Sequence, residues 1–71
     1  MTNSVMLRQK IEASGYKLAF IAMKCSLTYS GLLKKLNNES EFKASEIITL
    51  TNLLGLSDEE RDMIFFYDCG R

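Results

Sequence analysis

The sequence LAFIAMKCSLTYSGLLKKLN, at residues 18–37, decides the fold of this chain. Its first half places apolar and small side chains at the i, i+3, i+4 and i+7 spacing of a buried helical face. The residues of this face are Leu18, Ile21, Ala22 and Cys25. The pattern breaks at residues 26–28, where the hydroxyl of Thr28 is well placed to cap a second helix. We therefore predict two short helices joined by a tight turn.

The second of these helices has two different sides. Leu32 and Leu36 lie one turn apart and form a narrow apolar stripe. At about 100° per residue, the opposite side carries polar and basic residues. These outward residues are Ser30, Lys34 and Asn37, with Leu33 on the flank. A short helix with one narrow buried stripe and a polar, basic outer side is suited to enter the major groove of DNA.

Capping signals on either side of this stretch predict three more helices. Asn3 or Ser4 can cap a first helix, which runs to Ser14 and stops at Gly15. A fourth helix opens at residues 45–46 and ends at Gly55, and the sequence SDEE at 57–60 is a capping box for a fifth. Because proline is absent and no stretch alternates usefully with period two, no strand is predicted. The predicted fold is all-α, a single-domain compact bundle of five helices over residues 1–71.

The helical faces also predict which residues form the core. The predicted core residues are Leu7, Ile11, Ile21, Ala22, Leu32, Leu36, Ile47, Leu50 and Leu54. Ile48 widens the apolar face of the fourth helix, and Phe42 docks the preceding loop onto the core. In the fifth helix the residues predicted to face inward are Met63, Phe66 and Tyr67. Phe65 is left on the outer side of that helix.

These patterns resemble a known family, the lambda-repressor-like helix-turn-helix regulators that include phage repressors and Cro proteins. The matching features are the small Ala22, SLT at 26–28, LLKKLNN at 32–38 and EFKASEIITLTNLLGLSDEERDMIFF at 41–66. The resemblance covers most of the chain, residues 7–66. It implies a lambda-repressor-like DNA-binding domain with a recognition helix at about residues 28–37. It also implies a sequence-specific transcriptional regulator of a phage or mobile element, which occupies a double-stranded DNA operator.

The chain departs from the family pattern at two positions. Ser26 stands where a glycine is common in the turn, and Leu18 stands where many members carry a polar residue that contacts phosphate. The resemblance therefore implies that Lys17 makes that phosphate contact here. By the same resemblance Tyr29 occupies a position that commonly touches DNA, although its place on the wheel also allows it to pack.

The charges divide the chain into two halves. The full sequence has nine basic and nine acidic residues and a formal net charge of zero. Residues 1–36 carry six basic residues against one acid, a net charge of +5, whereas residues 37–71 carry three against eight, a net charge of −5. This split predicts one face for a polyanion and another turned away from it. The alternative is a chance segregation of charges on two solvated faces.

The composition leaves little for catalysis or metal binding. Histidine is absent, so the chain has no Ser-His or Cys-His pair and no general base naturally poised near neutral pH. We therefore expect that the chain is not an enzyme. Cys25 and Cys69 are too few for a structural zinc site, and we expect no metal and no cofactor. Two cysteines, no signal-like N-terminus and no apolar run near the ~20 residues of a membrane span indicate a cytoplasmic protein.

The outward residues around the motif are the candidate DNA contacts. Candidates for contact with the bases are Thr28, Tyr29, Ser30, Leu33 and Lys34. Candidates for contact with phosphates are Lys17, Lys24, Lys35, Asn37 and Asn38. Lys34 points most directly outward and can reach guanine O6 or N7, whereas Lys35 is displaced to the side, toward phosphate. Taken singly, each lysine is better explained as a solvated side chain, and only their placement around one motif favours contact with DNA.

A small DNA-binding motif of this kind is expected to act as a homodimer. One motif reads few base pairs, and the resemblance implies two half-sites about 34 Å apart. We therefore predict a dimer through the C-terminal helix at Phe65. Two other functions remain open. The same fold can serve as a protein-binding module, such as an anti-repressor or antitoxin-like partner, anchored by Phe20 or Phe65. It can also be a purely structural bundle. For Phe20, packing against a neighbour is the favoured interpretation.

Overall fold

The computed structural model of the chain describes residues 2–66, whose backbone forms five α-helices and no strand. In chain order they are α1 (Ser4–Ser14), α2 (Leu18–Lys24), α3 (Tyr29–Leu36), α4 (Ala44–Leu54) and α5 (Asp58–Phe65). The prediction of an all-helical fold with five helices is confirmed. Within the described residues, none of the helices is long and apolar enough to cross a lipid bilayer.

Short-range capping chemistry sets the ends of the first and last helices. At α1 the Asn3 side chain accepts a hydrogen bond from the backbone N–H of Met6 at 3.2 Å, and Gly15 ends the helix with a φ of 78°. Glycine adopts this left-handed conformation at little cost. At α5, Ser57 and Glu60 form the predicted capping box, in which each side chain accepts from the backbone N–H of the other. These predicted helix ends are confirmed.

The hydrophobic core draws on all five helices. Its fully buried side chains are Leu7, Ile21, Leu32, Leu36, Leu50 and Ile64. Ile11, Ala22 and, from the loop before α4, Phe42 are buried beside them, as predicted. Ile47 and Leu54, which the pattern also assigns to the core, are only partly buried and pack against its edge.

The side of α5 that faces the core differs from the prediction. Ile64 is fully buried and Phe65 is 7% exposed, whereas Met63 is 54% exposed and Phe66 is 40% exposed. The inward side is therefore centred on Ile64, and the predicted orientation of this helix is wrong. Tyr67, the third residue predicted to face inward, lies outside the described residues.

Two contacts from distant parts of the chain set this orientation of α5. The backbone N–H of Asn3 donates to the carbonyl oxygen of Ile64 at 2.7 Å. The ring of Phe42 packs edge-on against that of Phe65, with centroids 5.4 Å apart. Neither contact can be read from the residue spacing within α5.

Ile48 of α4, predicted to widen the buried face, also lies on the outside and is 61% exposed.

Candidate nucleic-acid interface

The turn between α2 and α3 combines backbone hydrogen bonds with one strained residue. The backbone N–H of Leu27 donates to the carbonyl oxygen of Ala22 at 2.8 Å, which folds the chain back onto α2. Ser26 adopts a left-handed φ of 58° in this turn. A residue with a Cβ atom is disfavoured there by about 1–2 kcal/mol. Thr28 Oγ1 accepts a hydrogen bond from the N–H of Gly31 at 2.9 Å and caps α3, as predicted.

The helix α3 buries one side and exposes the other. Leu32 and Leu36 are fully buried and hold the helix against the core. On the opposite side Ser30 and Lys34 are exposed, and in the first turn Tyr29 is 51% exposed. The predicted outward position of Ser30 and Lys34 is confirmed. About half of Tyr29 is accessible to solvent, so it is not packed into the core.

The other two candidate base contacts also have structural roles. Leu33 is partly buried and packs against the edge of the core. Thr28 is exposed, but its hydroxyl oxygen accepts the capping hydrogen bond from Gly31. Because a hydroxyl group can donate one hydrogen bond while it accepts another, Thr28 can still donate to a base or a phosphate.

Lys17 and Lys24 flank α2, Lys17 immediately before it and Lys24 as its last residue, and both are exposed. The Nζ atom of Lys24 lies 5.4 Å from the ring centroid of Phe20, which is 5.1 Å from that of Tyr16. Phe20 is therefore partly enclosed by its near neighbours in sequence, which favours packing over an open docking role. An exposed cation–π contact contributes only about 0.5–1 kcal/mol, so Lys24 can leave the ring for a phosphate at small cost.

Lys35 does not face solvent, which corrects the prediction that it contacts phosphate. Its side chain is 9% exposed, and its Nζ atom lies 3.2 Å from Glu46 Oε1. The same Nζ donates to the carbonyl oxygen of Glu41 at 2.7 Å and lies 5.9 Å from the ring centroid of Phe42. Because these partners belong to the following loop and to α4, the helical wheel of α3 could not reveal them.

Asn38 is also bound inside the molecule, which is a second correction to the predicted phosphate contacts. Its Oδ1 accepts from the backbone N–H of Thr2 at 3.0 Å, and its Nδ2 donates to the carbonyl oxygen of Thr2 at 3.1 Å. Nδ2 also donates to Ser4 Oγ at 2.9 Å. Both amide hydrogens and the amide oxygen therefore have partners, and this side chain fastens the start of the chain to the end of α3.

Asn37 is exposed at the end of α3, where its Oδ1 accepts a hydrogen bond from Arg8 Nη2 at 2.9 Å. This contact brings Arg8, an exposed residue of α1, to the edge of the candidate surface. The sequence pattern does not single out Arg8, because nothing local shows that α1 passes the end of α3. Its place in the basic half of the chain is the one signal that includes it.

Four exposed cations around the motif form what we call the basic surface. They are Arg8, Lys17, Lys24 and Lys34. Among residues 2–66, no carboxylate lies within ion-pair distance of these four side chains. The other two basic residues of the first half are paired, Lys10 with Glu60 and Lys35 with Glu46. The positive charge of the basic half that has no carboxylate partner among residues 2–66 is therefore carried by α1, α3 and the two ends of α2.

Cys25 belongs to the core rather than to the surface, as predicted. The residue is 7% exposed. Burial raises the pKa of its thiol above the ordinary value, and the carboxylate of Glu46 raises that pKa further. Since the thiolate is the reactive form, the thiol is chemically quiet at neutral pH. Cys69 lies outside the described residues.

No family model, no curated protein and no solved structure matches this chain. The resemblance to lambda-repressor-like regulators therefore stays a prediction from the sequence.

Proposed function

We propose that this chain is a sequence-specific DNA-binding transcriptional regulator of the phage repressor or Cro type. The observation that carries the proposal is the two-sided α3, in which Leu32 and Leu36 are fully buried while Ser30 and Lys34 lie exposed on the other side. A tight, capped turn joins this helix to α2. A short basic helix that is open along its outer side fits a major groove about 12 Å wide.

Sequence reading is assigned to the outer side of α3. Lys34 can donate to guanine O6 and N7, and Ser30, one turn earlier, can serve several bases. Leu33 offers an apolar contact to a thymine methyl group. Tyr29 and Thr28, at the start of the helix, bring hydroxyl groups that can reach a base or a neighbouring phosphate.

Positioning on the duplex is assigned to the basic surface. Lys17, Lys24 and Arg8 are proposed to contact phosphates, which fix the register without reading the sequence. Asn37 joins them, because its Nδ2 can donate to a phosphate while its Oδ1 accepts from Arg8. Three cationic contacts of this kind predict that log K falls with log salt concentration with a slope of about −2.7 per subunit.

A second copy of the chain is the proposed partner of the outer side of α4 and α5. Phe65, the residue predicted for this contact, is buried against Phe42 and cannot serve it. Ile48 and Phe66 instead line one groove on this side, and Met63 is exposed on α5. Sedimentation of the saturated DNA complex tests the dimer: two subunits per operator are expected, and Ile48→Lys should reduce this to one. One subunit per operator for the native chain would exclude it.

Selection from random DNA tests the central proposal. Fragments bound by the native chain are sequenced, and affinities are measured on the selected operator, on single-base mismatches and on random DNA across a salt series. We expect a preference of about 10³-fold or more over random DNA. Lys34→Ala should weaken binding to the preferred operator by about 1–3 kcal/mol and relax selectivity at one base position.

The matched control is Lys43→Ala, which removes an exposed lysine that precedes α4 in the acidic half of the chain. This variant should keep the selectivity of the native chain. If no sequence is enriched from random DNA, the proposal is wrong. If Lys34→Ala lowers affinity equally for every sequence, Lys34 is only another phosphate contact.

A protein-binding module of the anti-repressor or antitoxin-like kind is the second candidate. The observation that favours it is the groove lined by Phe42, Ile48 and Phe66, of which Ile48 and Phe66 are 61% and 40% exposed. If this is the function, Ile48→Lys should abolish partner binding and Lys34→Ala should have little effect. The regulator proposal predicts instead that Lys34→Ala weakens operator binding by about 1–3 kcal/mol and relaxes selectivity at one base position.

A further inference from the structure

The buried ion pair between α3 and α4 is not explained by the functions above. The side chains of Lys35 and Glu46 are 9% and 6% exposed, and their charged atoms lie 3.2 Å apart. Burial of two charges is unfavourable unless the geometry repays it, and apolar residues of similar size often stabilise a core at least as well. A contribution to stability is therefore a weak explanation for this pair in such a small domain.

Each charged side chain also holds a backbone group of the loop between the two helices. Lys35 Nζ donates to the carbonyl oxygen of Glu41 at 2.7 Å, and Glu46 Oε1 accepts from the backbone N–H of Lys43 at 2.8 Å. Lysine can only donate and an ionised glutamate can only accept, so the two residues could not exchange places without losing both bonds. The network therefore joins the end of α3, the loop at 37–43 and the start of α4 in one specific arrangement.

This arrangement constrains the direction of Lys34. Successive residues of a helix point about 100° apart, so a helix with Lys35 fixed toward α4 has a fixed direction for its neighbour Lys34. Leu32 and Leu36, which are fully buried, hold one side of α3 against the core, and the bonds of Lys35 tie the adjacent side to α4 and the loop before it. A side chain that reads a ligand must be held within about 0.5 Å and 10–20° of its productive position.

We propose that Lys35 and Glu46 are positioning residues for sequence reading. They set the rotation of α3 about its axis and thereby the place at which Lys34 meets a base. The inference rests on the proposed DNA-binding function. It assigns to Lys35 a role that acts through its neighbour, without any contact of its own with DNA.

Three variants test this role. Lys35→Met/Glu46→Leu replaces the pair by apolar residues of similar size and is expected to fold. Lys35→Arg keeps a charged donor at the same position. Lys10→Met is the matched control, because it removes the lysine of an ion pair between α1 and α5 whose side chains are 33% and 31% exposed. Circular dichroism and thermal melting establish that each variant is folded before binding is measured.

The measured quantity is the ratio of affinities for the selected operator and for its mismatch at the base that Lys34 reads. In Lys35→Met/Glu46→Leu we expect this ratio to fall about tenfold, within the range of a lost base contact, while random-DNA affinity and the salt slope stay unchanged. Lys35→Arg and Lys10→Met should keep the native ratio. If the apolar variant fails to fold, Lys35→Met/Glu46→Gln gives the same comparison, because glutamine keeps the acceptor for the Lys43 N–H while the link to Lys35 is lost.

Two results would overturn the positioning role. One is a selectivity ratio within about twofold of the native value in the folded apolar variant, or in Lys35→Met/Glu46→Gln, since a real base contact contributes far more. The other is a salt slope reduced by about one, which would make Lys35 a phosphate contact after all.

Hydrogen exchange on the free protein separates this inference from the DNA-binding proposal. In the apolar variant the amides of residues 35–37 should exchange about tenfold faster relative to those of α1 than they do in the native chain, because the end of α3 is no longer fastened to α4. If this change occurs but the native chain selects no DNA, the proposed function fails and the fastening stands. If the native chain selects DNA and neither exchange nor selectivity changes, only the positioning inference fails.

Discussion

At the scale of single residues, two residues other than glycine adopt a left-handed backbone conformation, and they differ in the hydrogen bonds of their side chains. Ser26 has a φ of 58° and Asn38 a φ of 61°. The Asn38 side chain makes three hydrogen bonds, to Thr2 and Ser4, which accompany its unusual conformation. Asparagine also tolerates this region better than most residues. Ser26 is exposed, and within residues 2–66 its side chain makes no hydrogen bond that would offset the strain.

Ser26→Gly should therefore raise the free energy of unfolding by about 0.5–1 kcal/mol. Glycine adopts this conformation without the steric cost of a Cβ atom, and its greater freedom in the unfolded chain offsets only part of the gain. Urea denaturation measures the change. Ser26→Ala keeps the Cβ atom and should not stabilise the protein. Equal stabilisation by both variants would mean that backbone strain is not the cause.

Two adjacent lysines of α3 should differ strongly in how much stability the protein loses when each is replaced by alanine. Lys35→Ala leaves Glu46 buried without its charge partner, so we expect a loss of about 3–5 kcal/mol, most of the ~5 kcal/mol available to a small domain. Lys34→Ala changes an exposed side chain and should stay within about 0.5 kcal/mol of the native stability. Thermal melting compares the two variants, and similar melting temperatures would contradict the buried pair.

At the scale of helices, the orientation of α5 can be tested by two neighbouring phenylalanines. Phe65→Ala should cost about 3–5 kcal/mol, because Phe65 is 7% exposed and packs against Phe42. Phe66→Ala should cost about 1 kcal/mol or less, because its ring is 40% exposed. Denaturant unfolding of both variants gives the ranking. If Phe66→Ala lost more stability than Phe65→Ala, the orientation of α5 expected from residue spacing would be supported instead.

The sequence predicts those elements whose causes are local. Gly15 and the capping box at Ser57 act within one turn, so the ends of α1 and α5 can be read from short stretches. The outward side of α3 follows equally well, because Leu32 and Leu36 settle which side is buried.

Where the prediction from the sequence is wrong, the side chain contacts a residue that is distant along the chain. Lys35 turns inward because of Glu46, eleven residues away, and Asn38 is held by Thr2, at a separation of 36 residues. Phe65 of α5 is buried because Phe42, in the loop before α4, packs against it. Spacing within one helix contains none of these contacts, so the candidate surface loses Lys35 and Asn38 and gains Arg8 only once the helices are assembled.

At the scale of the whole molecule, opposite charges of the two halves form ion pairs at two places within residues 2–66. Lys10 of α1 pairs with Glu60 of α5, and Lys35 of α3 pairs with Glu46 of α4. Both pairs join a basic-half helix to an acidic-half helix. They use two of the six basic residues of the first half, and the remaining four are those of the basic surface. The charge split thus contributes to assembly as well as to the proposed DNA contact.

The pair between α1 and α5 also makes the fold sensitive to acid. The ammonium group of Lys10 holds the pKa of Glu60 below its ordinary value, and the backbone N–H of Ser57 lowers that pKa as well. A carboxyl group whose pKa is lower in the folded state than in the unfolded state stabilises the fold when it is ionised. This contribution is fully present above the ordinary value of 4.5 and is lost as the pH falls through the pKa of the folded state.

Lys10→Met should therefore flatten the dependence of stability on pH. The substitution removes the principal cause of the lowered pKa of Glu60, so the native protein should exceed the variant in stability at neutral pH. The difference between the two should shrink as the pH falls from 4.5 through the lower pKa of Glu60 in the native fold, below which Glu60 is protonated in both folded proteins. Urea denaturation of both proteins over a series of pH values measures this, and Lys17→Met, which changes an exposed lysine with no carboxylate partner among residues 2–66, is the matched control. Parallel curves for the native protein and Lys10→Met would mean that Lys10 does not stabilise the ionised form of Glu60.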